Sequence, residues 1–445
     1  MLVSFTFENH RSFRDEAELS FVPAKALRQP DYGVTLRQGA DTAVLTVAGL
    51  FGANASGKSN VLDALHFLRN AVVHSHVRWS PDGPIPRRAF VLDERSGGNP
   101  STYQVDLVLD GLPVQYGFSV DDEQVLREWI YVWPAGKRRI WLERTGPESF
   151  RFGRTLKGPN RSIANLTRPN SLFLSAAVQN NHQQLQPLAR YLHRMVFPVT
   201  RRDEAVRAFY TMNMVEKDSK RKRLIVDLMC EADLGISDVQ IRKGPEGLPA
   251  ELGEAVVQLD RSLAYSGVPP ADKGAIEDIR RLILYHKGPG RRSVPLEIWD
   301  ESAGTLSWFA LVGPMVEVLT RGGLLVVDEL NAQLHELLQS HLIHRFNNPE
   351  TNPNGGQLLF TSQDSTLLGS MVEGTGLRRD QVWFTSKERD GSSRLTALTE
   401  FRVRRGENIQ RRYLEGRFGA VPYVDGLERL RFPGTGTSRR GTRVG

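Results

Sequence analysis

The sequence predicts an α/β protein with a mixed central sheet, an antiparallel sheet built mainly from its N-terminal part, and a helical insertion. Three observations lead there. The apolar run VAGLF runs through a glycine-flanked loop into Val61, Leu62, Leu65 and Leu68, which recur at helical spacing. The stretches TYQVDLVLD, VQYGFSVD, EWIYVWPA and RRIWLER alternate apolar with polar residues and are separated by Asp, Gly and Pro, as in an antiparallel meander. The run LLVV then ends in two acids, the pattern of a buried parallel strand with a polar edge.

The remaining elements follow in chain order. LVSFTFENHRSFRDEAELSF alternates, pauses between residues 8 and 13, and resumes at Leu19 and Phe21, so it reads as a β-hairpin. AVLTVAGLF is the next strand, ahead of the loop. From about Ser175 the pattern turns helical. QQLQPLARYLHRMVF and RRDEAVRAFYTMNM are helix formers, and a basic cluster at 217–223 leads into 224–232 as a continuation of the helix. DVQIRK and LILYHK read as short strands, and Gly288, Pro289 and Gly290 as a loop. PLEIWDESAGTLSWFALVGPMVEVL reads as strand, turn and helix. GGQLLFTSQDSTLL and DQVWFTSKE supply two more strands. The last residues, RFPGTGTSRRGTRVG, are small, polar and basic, the composition of a disordered tail. The boundaries expected are 1–180 for the N-terminal lobe, 181–285 for the insertion, 286–430 for the C-terminal lobe and 431–445 for the tail.

Composition excludes several classes. Hydrophobic content is 40% and charged content 24%, ordinary for a globular chain. No run of about 18 consecutive apolar residues suggests a membrane span. The single cysteine, Cys230, excludes a disulfide framework and a cysteine zinc cluster, and a cytoplasmic setting is expected. The net charge of +7 is uneven: residues 371–445 hold 16 Lys and Arg against 9 Asp and Glu, and the rest of the chain is balanced. This basic end could face nucleic acid or an acidic partner, or be a solvated arginine-rich surface.

Residues Gly52, Ala53, Asn54, Ala55, Ser56, Gly57, Lys58 and Ser59 satisfy G-x-x-x-x-G-K-[ST]. Such a loop presents consecutive backbone N–H groups as an anion nest, and the following helix adds its positive end. Lys58 then reaches the β- and γ-phosphates and Ser59 ligates Mg²⁺; Asn60 extends the cradle. Asp328 stands at the carboxyl end of LLVV, where it can hold Mg²⁺ through water, and Glu329 can polarise an attacking water. Ser302 and Gly304, in ESAGT, sit before an apolar helix: alone they read as an ordinary N-cap by Ser302, and their place about 25 residues upstream of Asp328 offers a second anion-binding pattern. His341 and His344 have helical spacing and His335 precedes them, but no acidic or cysteine set completes a metal site.

FENHRSF resembles the opening of RecF- and SMC-like ATPase heads. ESAGT, VVDELNAQLH and LLFTSQD resemble the ABC-type AAA-family ATPases of the RloA and abortive-infection kind, close to the OLD-family ATPase domain. RRDQVWFTSKERDGSSRLTALTEF and RRYLEGRFGAVP resemble their ending. The likeness spans residues 1–422 and is weakest between 183 and 280. It implies a P-loop NTPase fold, the ABC-type ATPase head, with ATP and Mg²⁺ as ligands. Residues 52–59 become Walker A and Asp328 and Glu329 Walker B. Ser302 and Gly304 become a signature acting on ATP held by the opposite protomer, and residues 331–335 the D-loop. Catalysis would rest on Glu329, Lys58 and Gln363. Gln363 departs from the family, which usually has histidine there; glutamine can hydrogen-bond phosphate or water but cannot become cationic. A Q-loop is best sought in residues 88–93.

The resemblance also implies a homodimer or higher homo-oligomer closed around ATP. It points to a regulatory role in a bacterial anti-phage system with a separately encoded nuclease or Toprim effector, since no Toprim-like acidic set follows the ATPase segments. Nucleic acid is a further candidate contact for the basic end, and no membrane is expected. A RecF-like repair ATPase and a nucleotide-gated scaffold that hardly hydrolyses ATP are the alternatives.

Overall fold

The computed structural model describes residues 1–24, 34–35, 43–93, 96–195, 204–232, 235–243, 280–291, 293–369, 377–404 and 407–421. The expected tail, 431–445, and much of the expected insertion lie outside them. The chain opens with β1 (Leu2–Glu8) and β2 (Ala17–Ser20), antiparallel with Phe5 opposite Leu19, as the alternation predicts. β3 (Val34–Thr35) and β4 (Val44–Leu45) form a small ladder, and β5 (Val47–Phe51) leads through the glycine loop into α1 (Lys58–His74). The meander follows as β6 (Ser101–Leu109), β7 (Leu112–Val120), β8 (Val125–Val132) and β9 (Arg139–Thr145). A fifth strand, β10 (Ser149–Phe152), was not legible in the sequence, because its alternation, SFRF, spans only four residues. These strands join the hairpin in a seven-stranded antiparallel sheet ordered β10-β9-β8-β7-β6-β1-β2.

One face of that sheet is apolar. Phe5, Phe7, Tyr103, Tyr116 and Phe118 point into a core shared with Val61, Leu65 and Leu68 of α1. Helices α2 (Asn160–Leu166), α3 (Phe173–Gln179) and α4 (Gln186–His193) close it; the helical region therefore begins before Ser175. A buried charge organises this corner. Glu128 accepts the N–H groups of Phe173 (2.6 Å) and Leu174 (3.0 Å), and buried Arg144 donates to the carbonyls of Gly146 and Ser171. Burial pushes the Glu128 carboxyl above its ordinary value, and Arg144 and the two amides pull it back.

The run read as one helix across 204–232 is two, α5 (Glu204–Lys217) and α6 (Ser219–Glu231). Asp218 breaks it: its extended backbone and its carboxylate, accepting from Lys220 N and Arg221 N at 3.1 Å, start a new helix. β11 (Ile236–Lys243), β12 (Arg280–Lys287) and β13 (Ser293–Glu297) make a three-stranded antiparallel sheet. Then come α7 (Ala303–Arg321), β14 (Leu324–Val327), α8 (Leu330–Gln333), α9 (Glu336–Asn347), β15 (Gln357–Ser362), β16 (Val382–Lys387), β17 (Ser393–Ala397) and α10 (Ile409–Leu414). The central sheet runs β14-β15-β5-β16-β17, with the first four strands parallel and β17 antiparallel, so it is mixed as expected.

This sheet separates two cores. Ala48, Leu50, Val326 and Leu359 face the core under the antiparallel sheet. Val47, Phe51, Val327 and Phe360 face a second core with α5, α6, α7 and α9. Helix α7 is long and apolar enough to cross a membrane by composition alone, but 67% of its apolar window is buried inside the protein.

Helix α5 packs on α7 through Gly313. A Cβ there would lie 2.2 Å from Thr211 Oγ1 and 2.9 Å from the Thr211 Cα, closer than real atoms approach. Gly313→Ala is therefore expected to cost about 1–3 kcal/mol, read as a lower urea midpoint; an unchanged midpoint would show that α5 can retreat from α7 freely.

Candidate functional site

The parallel register gathers the motif residues. Leu50 pairs with Thr361 and Phe51 with Ser362, while Val327 pairs with Phe360. The carboxyl ends of β5, β14 and β15 therefore lie side by side, which brings the loop 52–59, Asp328 with Glu329, and Gln363 to one sheet edge. Ligands bind at such strand ends in open α/β sheets.

The loop has the shape its glycines require. Gly57 caps α1 at φ 115°, a region that L side chains avoid, and a Cβ on it would stand 2.6 Å from Ser393 Oγ. Ser393, at the start of β17, is wedged beneath the loop and donates to Ser56 O at 2.7 Å. Ser56 is buried, with its hydroxyl 2.6 Å from Thr385 Oγ1. Ala53 is half-buried and Asn54 and Ala55 are exposed. The Asn60 side chain is directed to the N-terminal hairpin, donating to Ser12 Oγ at 2.6 Å.

Lys58 is buried, and Nζ donates to Gly52 O (2.7 Å) and Ala53 O (2.8 Å), folded back against its own loop. Burial lowers its pKa, opposed by the negative charges of Asp328 and Glu329. An ammonium destabilised by burial gains most from an arriving anion. Ser59 Oγ donates to Asp328 Oδ1 at 3.1 Å. A hydroxyl and a carboxylate at this separation, both accessible, are the hard oxygen ligands that Mg²⁺ takes, so this pair fits the metal implied by the motif.

Glu329 is exposed and adopts the left-handed conformation, φ 51° and ψ 55°. Gln363 Nε2 lies 3.4 Å from Glu329 Oε1, which places the switch position beside the candidate base. Asn331 joins the two loops, accepting Gln363 N at 3.2 Å and the Ser362 hydroxyl at 3.3 Å. Among the described residues, no hydrogen bond joins Ser302 or Gly304 to this cluster. Ser302 caps α7, accepting from Thr305 N at 3.1 Å, and both residues are exposed; a Cβ on Gly304 would meet nothing nearer than 3.8 Å. That helix terminus is open to an incoming ligand or chain.

Several residues here had no reading in the sequence. Ser393 and Thr385 lie over 300 positions from the loop that they support, so no local pattern could link them to it. FENHRSF proves to be an anchor. His10 is buried, with Nδ1 2.8 Å from the Tyr103 hydroxyl and Nε2 3.0 Å from Asp63, which Arg11 also binds. Residues 88–93 contain no glutamine, and their backbone is tied to Asn9 and Arg11. His335 caps α9, accepting from Leu337 N at 3.3 Å. At the basic end, Arg378, Arg379, Arg411, Arg412 and Arg417 are each bonded within the chain to carboxylates or carbonyls.

Lys58→Ala removes the one buried cation of the loop. It is expected to weaken binding of ATP at least about tenfold, measured by titration with a fluorescent ATP analogue; equal affinity would remove Lys58 from the site.

Three solved structures are similar in outline: an SmcHead bound to the C-winged helix domain of ScpA (12% identity, 89% of this chain and 97% of that one, TM-score 0.45), the SMC head domain from Thermotoga maritima (11%, 90% and 99%, 0.40), and the recombination mediator protein RecF-ATPrS of the RecFOR pathway (14%, 89% and 98%, 0.35). No curated protein matches the sequence. A family model does match, over residues 47–369, well over half of the chain and including the phosphate loop, Ser302, Gly304, Asp328, Glu329 and Gln363. The chain belongs to that family, described as "AAA domain, putative AbiEii toxin, Type IV TA system".

Proposed function

We propose that the protein binds ATP with Mg²⁺ and hydrolyses it, closing on a second copy of itself as it does so. One observation carries this reading: Lys58, Ser59, Asp328, Glu329 and Gln363 converge on one strand edge, with Ser59 hydrogen-bonded to Asp328 and Gln363 beside Glu329. The N–H groups of residues 52–59 and the N-terminus of α1 receive the phosphates. Lys58 exchanges the carbonyls of Gly52 and Ala53 for phosphate oxygens. Mg²⁺, held through Ser59 and Asp328, supplies charge neutralisation at the phosphates. Glu329 accepts a proton from the attacking water, and Gln363 orients that water or the terminal phosphate through its neutral amide. Ser302 and Gly304, unengaged with their own loop, complete the phosphate site of the second copy.

At the level of the cell, we infer a cytoplasmic regulatory subunit of an anti-phage system that controls a separate nuclease effector. The family description, which names an abortive-infection toxin of a toxin–antitoxin system, supports that setting. Nucleic acid is a further candidate contact of the basic end. Gln363 favours one second reading, a nucleotide-gated scaffold with little turnover.

Glu329→Gln keeps the shape and removes the base. Turnover should fall roughly a hundredfold to ten-thousandfold while ATP binding persists and an ATP-bound dimer accumulates, read by light scattering with ATP and Mg²⁺. A Glu329→Gln protein that stays monomeric with ATP bound would refute the composite site. A wild-type steady-state rate near zero, raised by Gln363→His, would favour the scaffold.

A further inference from the structure

We propose that Thr361 is a positioning residue for hydrolysis, a single hydroxyl that sets both Walker B carboxylates at once. The inference rests on the ATPase reading above and deepens it. Thr361 is fully buried in β15, one position before the strand end. Its Oγ1 donates to Asp328 Oδ1 at 2.6 Å, and the same oxygen accepts the backbone N–H of Glu329 at 2.7 Å. A threonine hydroxyl has one proton and two lone pairs. The proton goes to the carboxylate, the only acceptor of the two, and a lone pair goes to the amide.

Two consequences follow. First, the hydroxyl and Ser59 both donate to the same oxygen, Asp328 Oδ1, so the carboxylate is oriented from two sides. Second, Glu329 is held at φ 51°, a conformation that a residue with a Cβ rarely adopts unless its surroundings impose it. Its amide is tied to Thr361, and the strand ends are tied again where Asn331 accepts Ser362 and Gln363. Any shift of Asp328 toward a divalent cation pulls on the hydroxyl that also anchors Glu329. Thr361 thus couples metal binding to placement of the base from a buried position, acting through Asp328 and the Glu329 amide.

Turnover, ATP binding and Mg²⁺ dependence of the full-length chain provide the test, in wild type, Thr361→Val and Thr361→Ser. Thr361→Val keeps the shape and loses the hydroxyl; Thr361→Ser keeps the hydroxyl. Thr361→Val should lower kcat roughly tenfold to a hundredfold, leave KM for ATP within about twofold, and raise the Mg²⁺ concentration needed for half-maximal rate. Thr361→Ser should recover most of the rate and the wild-type Mg²⁺ dependence. A Thr361→Val enzyme as fast as wild type overturns the inference, as does a Thr361→Ser enzyme as slow as Thr361→Val, because packing would then be the cause. If Thr361→Val does not fold, Thr361→Ala takes its place in the same assay. A wild-type chain without turnover defeats the ATPase reading and this inference with it; an active wild type with an unaffected Thr361→Val defeats this inference alone.

Discussion

Everything at the candidate site depends on the parallel register of β14, β15 and β5. Parallel neighbours place their carboxyl ends on one edge, and the pairing of Val327 with Phe360 and of Phe51 with Ser362 sets which residues emerge together. A slip of one residue in β15 would send Thr361 to the opposite face and withdraw its hydroxyl from Asp328 and Glu329. The register is held by burial on both faces: Leu324, Leu325, Val326 and Val327 alternate between two separate cores, as do the residues of β5 and β15. Both cores would lose contacts in such a slip.

Polar side chains pin the same register where apolar packing cannot. Buried Gln357, at the start of β15, accepts Leu2 N at 2.6 Å and donates to Leu2 O (2.8 Å) and Leu45 O (3.1 Å), stitching the central sheet to the antiparallel one. Asn347, at the end of α9, accepts from Thr46 and from Gln381, fixing the helix to the residues that lead into the neighbouring strands β5 and β16. Each of these amides is buried with partners on both of its ends, so each link favours one arrangement and penalises its neighbours. At the opposite edge, Ser393 and Thr385 brace the phosphate loop from below. The loop is a strained turn supported by β16 and β17.

Some of the backbone strain lies where chemistry is proposed, although Asn9, Arg11, Asp110, Ala135 and Asn181 also have positive φ elsewhere. Glu329 and Ala55 both have positive φ, at 51° and 62°, and both lie on the ligand-facing edge. Lys58 is buried with its hydrogen bonds going to two carbonyls of its own loop. These local costs persist because the surrounding sheet is over-determined, and an arriving polyphosphate would relieve the one at Lys58. Ser302 and Gly304, by contrast, are unstrained and open, the condition of a surface that completes its role against another molecule.

The sequence by itself determined the elements whose signals are local. The phosphate loop depends on glycine spacing, the meander on period-two alternation, and the Walker B strand on four consecutive apolar residues followed by acids; each can be read within about ten residues. The break at Asp218 and the short strands β10 and β17 were missed because tertiary pairing and one capping side chain outweigh weak local preference. Only the tertiary structure decided which distant residues support the site. Thr361 had no separate signal, since a threonine near a strand end is ordinary until register sets it against Asp328 and Glu329. Ser393, Thr385, Gln357 and the buried His10 with Asp63 act through contacts between segments far apart in the chain, and such contacts exist only once the two sheets have packed.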